Sequence, residues 1–127
     1  MAELTLVDTS AWIAFFRGDE PVASMVDHVL ADGSAARCGV VELELRRGLR
    51  ASERETVLSL LKSTHRVPTA EADWSMAGDL LASLRETGIT IPSTDGLIAH
   101  LALQHAAVLL ERDDHFRFVP GLVRSRD

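Results

Sequence analysis

Short apolar runs alternate with amphipathic stretches along this chain. Leu4-Thr5-Leu6-Val7 is too brief for a helix and suits a buried strand. Thr9 or Ser10 can cap a helix through Ala11-Trp12-Ile13-Ala14-Phe15-Phe16, with Gly18 as its stop. Pro21 fits the first turn of a second helix that reaches about Ala31 and closes at Asp32-Gly33. Ala36 to Cys38 is a weak strand signal. Helices are expected from about Val40 to Leu49 and from Glu53 to Lys62, followed by a short strand over His65 to Val67 closed by Pro68. Ala70 to Glu86 carries the clearest helical period, with Ala77, Leu80, Leu81 and Leu84 on one face and Gly88 at its end. Asp95 to His105 predicts a helix, Ala106 to Leu110 a strand, and Phe116 to Val119 a last short strand.

Strands separated by helices imply an α/β fold in which a parallel sheet is sandwiched between helices on both faces. A chain of 127 residues is long enough for one core, so a single domain over residues 1–127 is expected. In such sheets, sites form at the carboxyl ends of the strands.

Composition narrows the class. Apolar content of 46% with 25% charged residues is ordinary for a water-exposed globular protein. The start has neither a basic segment nor a long apolar one, and no apolar run approaches the roughly 18 residues that span a bilayer. The single Cys38 rules out an internal disulfide and a multi-cysteine metal site, which together with the start points to a reducing cytoplasm. A net charge of −6 argues against a broad basic surface that coats nucleic acid, but not against a nuclease whose acids hold metal ions.

Four separated acids fall where this fold would bring side chains to one rim. Asp8 ends the first apolar run, Asp95 opens a helix in Pro92-Ser93-Thr94-Asp95-Gly96-Leu97-Ile98, and Asp113 follows the run Ala106 to Leu110. Glu44 lies in the helical stretch Val40-Val41-Glu42-Leu43-Glu44-Leu45. Gathered carboxylates repel one another, so they need protons or a cation, and a hard divalent ion with oxygen ligands answers that need. Each acid also has a plainer reading: Asp8 as a helix cap, Asp95 as a partner of the helix dipole, Asp113 as a loop acid.

Two positions are ambiguous. Glu42 and Glu44 both precede a Leu, but on a helix they sit about 200° apart and cannot share one direction. Asp113 and Asp114 compete in the same way. Thr9, Ser10 and Thr94 are candidate donors to the carboxylates or helix caps. His115 lies near the site and reads as an ordinary residue, there being no pair of histidines at metal-ligand spacing. Trp12, Phe15 and Phe16 read as core or dimer contact. Arg46, Arg50 and Arg54 recur every four residues, with Arg47 alongside; if one helix carries them, they form a basic stripe beside Glu44, either solvated or touching phosphate.

The pieces Leu6-Val7-Asp8-Thr9-Ser10-Ala11-Trp12-Ile13, Glu44-Leu45-Arg46-Arg47-Gly48, Ser93-Thr94-Asp95-Gly96-Leu97-Ile98-Ala99 and Glu111-Arg112-Asp113-Asp114-His115-Phe116 resemble, in this order, the PIN-domain family and within it the VapC-type toxins. The resemblance implies a Mg²⁺- or Mn²⁺-dependent endoribonuclease with catalytic Asp8, Glu44, Asp95 and Asp113, of which Asp8, Asp95 and Asp113 bind metal. The family frame favours Glu44, which has Gly48 four residues on, and Asp113, three before Phe116. It also implies a homodimer, a VapB-type antitoxin that blocks the cleft, and a structured RNA such as tRNA or rRNA as substrate. Glu111 departs from the pattern, which often carries a small hydroxyl residue there.

Rival readings are weaker. A phosphoacceptor receiver domain would want a late Lys, and Lys62 is the only one. A phosphatase with a nucleophilic Asp8 would want an acid where Ser10 stands. An inactive binding module of the same fold, or a nuclease that processes RNA without being a toxin, remains an alternative.

Overall fold

Four short strands form a parallel sheet in the order β3-β2-β1-β4, comprising β1 (Thr5–Val7), β2 (Ala35–Cys38), β3 (His65–Val67) and β4 (Val108–Leu110). This computed structural model describes residues 3–125. Leu6 pairs with Ala36 on one side and Leu109 on the other, and all three are fully buried. That is why β1 reads as a largely apolar run, whereas β3 (His65-Arg66-Val67) at the sheet edge does not: a central parallel strand is covered on both faces.

Six helices flank the sheet: α1 (Thr9–Arg17), α2 (Val22–Ala31), α3 (Gly39–Gly48), α4 (Arg54–Lys62), α5 (Glu71–Glu86) and α6 (Ser93–Gln104). The result is the three-layer α/β arrangement expected. Among the described residues no helix is long and apolar enough to cross a membrane.

Of the three residues that could cap α1, Asp8 is the one that does. Asp8, in extended backbone, accepts the Ser10 amide through its side chain, so neither Thr9 nor Ser10 is the cap. Gly18 closes the helix in the left-handed region, at φ 73°. α6 is buried from Gly96 through Ala102 and packs along α5. Gly96 is required there, since a Cβ would stand 2.5 Å from Leu81 Cγ. The two helices are also joined by a buried hydrogen bond of 2.8 Å between His100 Nε2 and Asp73 Oδ1.

Two expectations are corrected. β4 begins at Val108, not Ala106, because Ala106 turns out of α6 at a left-handed φ of 51°. Residues Asp114–Phe118 form a 3₁₀ helix instead of a strand. Phe116 and Val119 are the buried residues there, three apart, and side chains three apart eclipse in a 3₁₀ helix. The backbone that lies parallel to β4 belongs instead to residues 123–125, where Leu109 donates to Val123 and accepts from Ser125. As expected, α3 and α4 are separate helices. The stretch between Gly48 and Arg54 breaks the course on which a stripe through Arg46, Arg50 and Arg54 depended.

Candidate functional site

Asp8 follows β1 at its carboxyl end, where its amide donates to Leu110 O of β4 at 2.9 Å. The residue is 2% exposed. Burial pushes its pKa up to about 6, assisted by the charges of Asp95 and Asp113 and opposed by Ser10. Ser10 gives Asp8 Oδ2 two bonds, from its amide at 3.1 Å and its hydroxyl at 2.5 Å. The same hydroxyl oxygen accepts the Arg112 amide at 3.0 Å, which ties the loop before Asp113 to the first acid. Arg112 in turn reaches Asp19 at 2.8 Å.

Asp95 lies in the first turn of α6, where the partial positive charge of the helix end favours a carboxylate. Its pKa is nevertheless raised, chiefly by burial and slightly by Asp113, against the opposing bond from His115. His115 Nδ1 stands 2.9 Å from Asp95 Oδ2. Ligand atoms of Asp95, Asp113 and His115 all lie within 4.8 Å of one another. His115 lies in the first turn of the 3₁₀ helix that Asp113 precedes, two residues after that acid. Sequence reasoning passed over His115 because the feature sought was a histidine pair. Its only signal was its place two residues after Asp113.

Glu44, like Asp8, is outside that cluster. It is held from α1, where Thr9 donates its hydroxyl to Glu44 Oε1 at 2.9 Å. Thr9 and Ser10 therefore serve the two acids, whereas among the described residues Thr94 makes no such bond. Glu42 faces elsewhere, paired with Arg37 at 3.3 Å and Arg46 at 3.4 Å. Arg46 is thus engaged with Glu42, and Arg50 lines a groove. Asp114 points to solvent beside Arg117, 3.6 Å away. Glu111 is wholly buried, with Arg124 at 3.5 Å supplying positive charge.

The groove, about 720 Å³, runs between α1, α3 and α4 from Glu44 past Ile13, Phe16, Leu49 and Arg50 to Leu60. Phe16 is 42% exposed on its wall, while Trp12 behind it is buried. Of the aromatic trio, Trp12 is core and Phe16 is surface.

The donor set fits a divalent cation. It offers the carboxylates of Asp95 and Asp113 within 4.8 Å of each other, and the buried Asp8 feels the charge of both, a repulsion that a cation would relieve. Cys38 is no rival nucleophile, since burial and the nearby Asp8 and Glu44 raise its thiol to about 11.

A PIN domain family model matches residues 5–122. "VapC ribonuclease Mb1587" of Mycobacterium bovis and "Ribonuclease VapC11" of Mycobacterium tuberculosis are each 31% identical to this chain, over 89% of both partners. Among solved structures, VapBC2 from Rickettsia felis bound to a promoter DNA fragment superposes with a TM-score of 0.79 at 19% identity, covering 96% of this chain and 97% of that one. FitAcB from Neisseria gonorrhoeae gives 0.76 at 22% identity, with the same coverage. These structural likenesses establish the fold.

Proposed function

This chain belongs to the PIN domain family, and on that footing we propose that it is a metal-dependent endoribonuclease, the toxic member of a VapBC-type pair. The observation that carries the reading is the cluster of Asp95, Asp113 and His115, whose ligand atoms lie within 4.8 Å of one another, with the buried Asp8 near enough to feel the charge of both aspartates. Asp8, Asp95 and Asp113 would hold Mg²⁺ or Mn²⁺. When bound, such an ion activates water and neutralises charge on a phosphodiester.

The chain's own residues do the rest. Ser10 fixes the Asp8 carboxylate, and through the Arg112 amide it fixes the loop carrying Asp113. Thr9 fixes Glu44, which stands outside the cluster as the carboxylate free to take a proton from an attacking water. The substrate is a structured RNA such as tRNA or rRNA, and Arg50 in the groove is placed to meet its phosphates.

The partner is a VapB-type antitoxin. A groove with Ile13, Phe16 and Leu49 on its walls and Glu44 at its end suits an apolar segment that carries a basic residue toward the acids. The similarity to ribonucleases named VapC supports this assignment. The toxin would act in the cytoplasm as a homodimer.

Incubating the purified chain with tRNA and rRNA in Mg²⁺ or Mn²⁺ tests the reading. Defined cleavage products should form, and Asp8→Asn should remove them. Binding of RNA by the wild-type chain without cleavage would favour the inactive module.

A further inference from the structure

His115 stands closer to the acids than any role in packing requires. Its side chain is half exposed, while its neighbour Phe116 supplies the buried anchor of the 3₁₀ helix. Its Nδ1 is directed at Asp95 Oδ2, 2.9 Å away, and Asp113 completes a trio within 4.8 Å.

Those distances have a second meaning. Adjacent ligands on an octahedral ion with bonds of about 2.1 Å lie about 3.0 Å apart, and opposite ligands about 4.2 Å apart. The Asp95–His115 separation that now serves a hydrogen bond is therefore also the separation of two neighbouring ligands on one ion. A cation entering between Asp95 and Asp113 would replace the shared proton and leave Nδ1 within bonding range with little movement of either side chain.

We propose that His115 is a ligand of the ion held by Asp95 and Asp113, and that its nitrogen makes the site select a first-row transition ion such as Mn²⁺ over Mg²⁺. The inference rests on the metal-dependent reading above and names a donor beyond the four acids. Mg²⁺ prefers an all-oxygen shell and gives up water reluctantly, so an imidazole adds little to its binding. Ions later in the row gain from imidazole, and the order of affinity rises from Mn²⁺ toward Cu²⁺. Asp8, which feels the charge of both acids, offers oxygen and negative charge that serve Mn²⁺ and Mg²⁺ alike and does not discriminate between them.

The test uses the full chain and two substitutions. His115→Gln keeps a side-chain donor for Asp95 but removes the imidazole nitrogen, and Asp95→Asn removes a carboxylate. Binding of Mn²⁺ and Mg²⁺ is measured by calorimetry, and pulsed electron paramagnetic resonance of the Mn²⁺-loaded chain looks for nitrogen coupled directly to the metal. The wild type should show that coupling and hold Mn²⁺ more tightly than Mg²⁺. His115→Gln should lose the nitrogen signal and weaken Mn²⁺ about tenfold or more, while Mg²⁺ binding changes by less than about threefold. Asp95→Asn should weaken both ions. If the wild type binds Mn²⁺ without nitrogen coupling, and His115→Gln binds both ions as the wild type does, His115 only positions Asp95 and the inference fails while the metal reading stands. If the wild type binds neither ion, both fail.

Discussion

Thr9 and Glu44 are 35 positions apart in sequence and are joined by a hydrogen bond of 2.9 Å, the Thr9 hydroxyl donating to Glu44 Oε1. The bond fixes α3 against the start of α1 at the edge of the cleft, and it distinguishes Glu44 from Glu42, whose carboxylate is taken by two arginines. Glu44→Gln should therefore lower RNA cleavage by about a hundredfold or more, close to 3 kcal/mol of transition-state stabilisation. Glu42→Gln should change it less than about twofold and affect stability by under about 1 kcal/mol, as expected for partly exposed ion pairs. Single-turnover assays on one cleavable RNA at fixed Mg²⁺ compare the two. The reverse ranking would mean that the wrong glutamate has been assigned to the site.

The same logic separates Asp113 from Asp114. Asp113 shares the cluster with Asp95 and His115, whereas the Asp114 side chain is 71% exposed beside Arg117. Asp113→Asn should weaken divalent-ion binding and cleavage together, and Asp114→Asn should leave both near wild type. Loss of ion binding in Asp114→Asn alone would move the ligand by one residue.

The positions of these acids were legible because local rules and the fold agree there. Asp8 follows an apolar strand and precedes an apolar helix, and it acts both as the helix cap and as a member of the site. Asp95 stands in a first helical turn, which the Pro92-Ser93-Thr94 lead-in announces. The segment after Asp113 was not legible. Phe116, Phe118 and Val119 imitate a strand, and only tertiary burial of Phe116 and Val119, with Phe118 left 39% exposed, resolves it as a 3₁₀ helix. His115 was passed over because no second histidine stands at metal-ligand spacing. The break between α3 and α4 was legible as a gap between two helical runs. No proline marks it, and what stabilises it is a side-chain bond from the Arg50 amide to Glu53 at 2.9 Å. The separate helices were anticipated, but the continuous arginine stripe was not compatible with them.

Gly96 follows Asp95 and lies against Leu81 of α5. A Cβ at this position would meet the branch point of Leu81 as well as its methyl groups, so rotation of the side chain alone does not make room. Gly96→Ala should destabilise the chain by about 1–3 kcal/mol, the range for overpacking a core, despite the better helix propensity of Ala. Pairing it with Leu81→Ala should recover part of that loss, because the second change vacates the space the first one needs. Urea denaturation of the wild type, both single variants and the double variant gives the coupling. Strict additivity would show that α5 and α6 separate instead of clashing.

Asp8 links stability to function. Its pKa is raised from 3.8 to about 6, first of all by burial, so the folded state favours the protonated acid. Between about pH 4 and pH 6 the folded metal-free chain keeps a proton that the unfolded chain has released; this term lowers stability as pH rises through that window and is complete above it. A shift of about two units corresponds to roughly 3 kcal/mol. Asp8→Asn removes the buried charge, so in the presence of a chelator at pH 7 the variant should melt at a higher temperature than the wild type. Their difference should shrink toward pH 4, where folded wild-type Asp8 is protonated and the unfolded acid begins to regain its proton. Saturating Mn²⁺ should then raise the wild-type melting temperature and move the variant little, because the ion relieves a charge that only the wild type carries. A difference that stays constant from pH 4 to pH 7 would mean that the buried carboxylate is already compensated without metal, and that the repulsion among Asp8, Asp95 and Asp113 is too weak to draw an ion in.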